Sequence, residues 1–231
     1  MIRTPSDNIL HHLERGTLLR HDFGDGRDTA CLISAAHPPC AAAESPALCP
    51  AELMPAWLAY LTPFIDDRGS DAAWEPTIRR YAALMARWHV LSPEAWERAH
   101  RAVKVAILVE AKSHVTVDTW GVTEAIDAVI AWLEKGAPEA KRGGVRKQAL
   151  IASATVDADA SADATAAAAA DAATVATASV ASVDLAARSA ARAAAHATRA
   201  GDGATCDAVD RITAAFFDIL EREISHAEVA A

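Results

Sequence analysis

Between Ala149 and Ala200, 26 of 52 residues are alanine and none is glycine or proline. Alanine is the strongest helix former and has almost no side-chain entropy to lose, so helix is predicted almost throughout this run. Such a helix is thin. Faces of Ala, Ser and Thr bury little area, and at roughly 25 cal/mol per Å² they hold a helix in place only where another backbone comes very close. The run must therefore pack against its own other half, the N-terminal part of the chain, or a second copy. Its middle, TVATASVASVD, is rich in β-branched and hydroxyl residues, which are poorer helix formers. A bend near residues 176–184 would set Asp159, Asp163 and Asp171 against Arg188, Arg192, His196 and Arg199, with Asp184 also spaced to pair with Arg188. A helical hairpin is the expectation. The other arrangement, a continuous rod of roughly 75 Å, needs a partner chain and so a homodimer through the Ala-rich helices.

Upstream, helical punctuation recurs. Ser6 or Asp7 caps a first helix carrying Ile9, Leu10 and Leu13 and stopped at Gly16. A second is predicted from about Arg27 to Ala36, ended by His37-Pro38-Pro39 because a residue before proline leaves the helical region. A third begins at Pro50, is bent or restarted at Pro55 and closed at Pro63, with Trp57, Leu58 and Leu61 inward and an exposed loop, Asp66 to Ser70, behind it. Trp74, Ile78, Tyr81, Met85 and Trp88 recur at helical spacing and read as core. Ser92-Pro93-Glu94 opens the best candidate for a central buried helix. Ile126, Val129, Ile130, Trp132 and Leu133 line another, stopped by Gly136 and Pro138. A final amphipathic helix starts near Thr205, buries Val209, Ile212, Phe216, Phe217, Ile219 and Leu220, and ends in a frayed HAEVAA. The predicted fold is all-α: a Trp-rich helical domain over 1–140, a basic linker over 141–148, and an Ala-rich helical domain over 149–231.

The net charge of −9 and pI near 5.4 disfavour a nucleic-acid footprint. No stretch approaches a membrane span and the N-terminus lacks a leader pattern, so a cytoplasmic protein is expected. Cys31, Cys40, Cys49 and Cys206 form no CxxC pair, and buried thiols are the expected reading. Glu110 and His114 are four apart on one predicted helix with His100 upstream, a metal-ligand spacing without a matching second motif. Asp66, Asp67, Asp71 and Glu75 form an acidic cluster with a recognition role in view, and Arg188 and Arg192 the basic candidates.

Two stretches carry a family resemblance. CPAELMPAWLAYLTPFIDDRGSDAAWEPTIRRYAALMARWHVL resembles uncharacterised phage and prophage proteins of actinobacteria and proteobacteria that share a Pro-Ala-Trp-Leu-Ala stretch, an Ile-Asp-Asp turn and an Arg-Tyr-Ala helix. AIDAVIAWLEKG followed by AARSAARAAAHAT is similar to the Ala-rich helical domain of bacterial proteins classed as immunity proteins. The resemblance implies an all-helical cytoplasmic protein from a phage or defence-related locus, with no catalytic residue to carry over.

Chemistry and resemblance together favour a non-enzymatic binding protein with no cofactor and a protein partner, such as an anti-CRISPR inhibitor whose acids mimic nucleic acid. The alternative is a metal-dependent helical enzyme using His100, Glu110 and His114 with the acids near Asp66. A DNA-binding regulator using the basic linker with Arg188 and Arg192 ranks third, because the overall charge opposes it.

Overall fold

The computed structural model describes residues 3–115, 121–135, 168, 169, 172, 173, 175, 176, 182–198 and 202–230. The fold is all-α, and among the described residues β-pairing is limited to isolated bridges of Ala30 with Leu18 and Gly24. In chain order the helices are α1 (Pro5–Glu14), α2 (Leu32–Ala36), α3 (Pro39–Ala43), α4 (Ala56–Arg68), α5 (Asp71–Met85), α6 (Pro93–Ser113), α7 (Val122–Glu134), α8 (Ser182–Thr198) and α9 (Asp202–Ala230). Residues 1–99 with 216–231 form one compact unit, and residues 100–215 form the other. The second half of α9 thus belongs with residues 1–99 and not, as expected, with the Ala-rich run. The expected linker at 141–148 and residues 177–181 of the bend expected near 176–184 lie outside the described residues, as do Asp159, Asp163, Asp171 and Arg199.

In the first unit α1 packs on α5 and α2, and α2 packs on α4. Thr4 caps α1 by accepting the Asp7 N–H at 3.2 Å, two or three residues earlier than Ser6 or Asp7 would. The predicted helix over 27–36 is cut to Leu32–Ala36. Asp25 Oδ1 accepts from the N–H groups of Arg27, Asp28 and Thr29 at 2.8, 2.8 and 3.0 Å, and so commits them to a turn that competes with helix. Gly24 and Gly26 allow that turn with φ of 66° and 72°, and a side chain at Gly24 would strike the Thr29 backbone.

Two further expectations fail in instructive ways. Pro63 does not close α4 but sits inside it, and the supposed exposed loop from Asp66 begins as its last turn. Leu58, Leu61, Phe64 and Ile65 are all buried, so packing carries the helix past a residue that lacks an N–H. At the other end of the chain, HAEVAA is helical through Ala230, where Glu228 receives Arg87 in a two-pronged pair at 3.0 and 2.7 Å.

The core of the first unit is an aromatic chain. Tyr81 meets Trp88 at 5.6 Å between centroids, Trp88 meets Trp96 at 5.7 Å, Trp96 meets Trp57 at 6.1 Å and Trp57 meets Phe216 at 6.5 Å, all edge to face. Such pairs add about 0.5–1.5 kcal/mol each beyond the area they bury. Charges on the rim fix the register of α9. Arg80 holds Glu221 and Asp218, Arg87 holds Glu228, and Arg98 holds Glu223. The acceptors of Arg80 and Arg87 are spaced seven apart, as the arginines are, so this end of α9 follows the direction of α5.

The second unit has a different texture. Ala168, Ala169, Ala172, Ala173 and Ala176 are buried, as are Ala186, Ala187, Ala190, Ala191, Ala193 and Ala208. Bulk comes from Val103, Ile107 and Leu108 on α6, Ile126 and Val129 on α7, and Val209 and Ile212 on α9. α6 is less enclosed than expected of a central helix, because Val109 is 54% exposed. No helix among the described residues is long and apolar enough to cross a membrane.

Candidate functional site

The acidic cluster singled out in the sequence sits where α4 turns into α5. Ser70 caps α5 by accepting the Ala73 N–H at 3.2 Å, which fixes the turn between Asp67 and Asp71. The four acids then take different places. Asp66 is 1% exposed and so is not a surface group, contrary to its expected loop position. Its Oδ2 accepts the Leu32 N–H at 3.0 Å, at the first residue of α2, and its Oδ1 accepts the Trp74 indole N–H at 2.9 Å. Asp67 accepts the His21 N–H at 2.7 Å. Asp71 is fully exposed and Glu75 is exposed, the latter pairing with Arg79 one turn on at 2.7 Å.

Arg20 ties this corner together. Its guanidinium donates to the Asp66 and Gly69 carbonyls at 3.1 and 2.8 Å and to Asp71 at 2.6 Å, and it lies 5.9 Å from the centre of the Trp74 ring. The carbonyls at the end of α4 are orphan acceptors, and a cation there also suits the negative end of the helix dipole. Burial pushes the Asp66 carboxyl up to about 6, with Asp67 adding to the rise, against the bonds from Leu32 and Trp74 and the charge of Arg20. The loop leaving Arg20 carries Asp22, Asp25 and Asp28, all exposed, together with exposed Arg27. The structure therefore joins a second acidic stretch to the corner by way of Arg20 and His21.

The second predicted constellation is partly assembled. His114 Nε2 meets Glu110 Oε1 at 2.8 Å, and Arg211 from α9 donates to the same carboxylate at 2.7 and 3.1 Å. Burial pushes Glu110 up, but the bonds from Arg211 and His114 together outweigh it and hold the carboxyl below its usual range. His100 does not join them. It lies ten residues back on the same helix, about 15 Å along the axis. Buried beside Lys104 and Arg101, it is pulled down to about 3, chiefly by desolvation. The sequence placed these three residues near one another; the structure gives Glu110 an arginine in place of the second histidine. Among the described residues no three His, Cys, Asp or Glu side chains are grouped to hold a metal ion.

The cysteines follow the buried-thiol reading in part. Cys31 and Cys40 are buried, Cys49 and Cys206 are half-buried, and all four are free thiols. Burial raises the Cys31 thiol, Cys40 to about 11 and Cys49 to about 12, which makes each a poor nucleophile. The basic candidates lie in the second unit, on α8: Arg192 is exposed and Arg188 half-buried and engaged. The acids are all in the first unit.

No protein-family model, curated protein or solved structure matches this chain.

Two residues of the corner escaped the sequence reading. Trp74 reads as part of an apolar stripe, yet a half-buried indole N–H seeks an acceptor, and an acid eight residues earlier is the available signal. Arg20 gave no signal at all, since its partners lie 46 to 51 residues away.

Proposed function

We propose that this chain is a non-enzymatic binding protein of a phage or defence-related locus that acts by protein–protein contact, in the manner of an inhibitor of a host defence system such as an anti-CRISPR. The observation that supports it is the acidic corner. Arg20 and the His21 backbone draw the loop bearing Asp22, Asp25 and Asp28 to the α4 to α5 turn, where Asp71 and Glu75 face solvent. Exposed acids gathered at one corner suit a basic partner surface, including one that ordinarily meets phosphate. Arg20 is largely covered while Asp71 is fully exposed, and exposed Arg27, Arg68 and Arg79 offset part of the acid charge. The partner-binding set is accordingly Asp67, Asp71 and Glu75 with the loop acids, and Asp66 supports it from beneath. The resemblance to phage and immunity proteins rests on the quoted motifs and points the same way.

Affinity capture from a lysate of the native host, followed by mass spectrometry, tests the proposal. A stoichiometric partner with a basic face, released by moderate salt, is the expected result. A chain that recovers no stable partner contradicts it.

A further inference from the structure

We draw no further inference here: the strongest candidate, the Glu110, His114 and Arg211 cluster that joins α6 to the first half of α9, carries nothing, because Arg211 already occupies the carboxylate at 2.7 and 3.1 Å and among the described residues no third metal-ligating side chain joins Glu110 and His114.

Discussion

Two buried groups give the fold a pH dependence that can be separated by sign. The Asp66 carboxyl titrates near 6 in the folded chain, above its ordinary 3.8, so the native state binds that proton more tightly than the unfolded state does. Its contribution therefore improves as pH falls from about 6 toward about 4. His100 works in the opposite direction. Its folded value near 3 lies below 6.5, so its stabilisation is complete above pH 6.5 and is lost progressively as pH falls. In the intact protein the two effects partly offset each other. D66N removes one of them, and between pH 7 and pH 5 it should lose about 1 kcal/mol more stability than the parent chain in urea denaturation. Parallel pH profiles for the two proteins would show that Asp66 is not perturbed.

Single elements are held by different means in the two units, and substitutions should expose the difference. Phe216 is 1% exposed and stacks edge to face on Trp57, so F216A should cost about 3–5 kcal/mol by denaturant titration. Glu228 pairs with Arg87 on an exposed rim, and E228Q should change stability by less than about 1 kcal/mol. Equal losses from the two would contradict an aromatic anchor for the end of α9. In α8 the expected failure is overpacking. Ala190 is fully buried, and A190L should destabilise by about 1–3 kcal/mol where the same change at exposed Arg192 is tolerated. The sequence made α5, α6 and α9 legible, since Ile78, Tyr81 and Met85, the Ser92-Pro93 start, and Ile212 with Phe216 announce period and cap within a few residues. It hid the truncation of α2, because the decisive event is three backbone N–H groups captured by the Asp25 side chain. It also misplaced the end of α4, where buried neighbours override the local veto of Pro63.

At the scale of the whole molecule, what escaped the sequence is what is distant along it. Arg211 meets Glu110 across 101 positions, and Arg80 meets Glu221 across 141, so neither pairing has a local signature. The acidic cluster was visible as composition, but its division into a buried support, Asp66, and exposed acids, Asp71 and Glu75, depends on Leu32, Trp74 and Arg20 arriving from elsewhere. On the proposed function these exposed acids form a recognition surface. The most direct test compares the parent chain with D71N/E75Q for binding to the captured host partner, with thermal unfolding followed in parallel. The double variant should bind at least roughly tenfold more weakly, with a shallower salt dependence and an unfolding midpoint close to the parent. Equal affinity and equal salt dependence for the two proteins would contradict it.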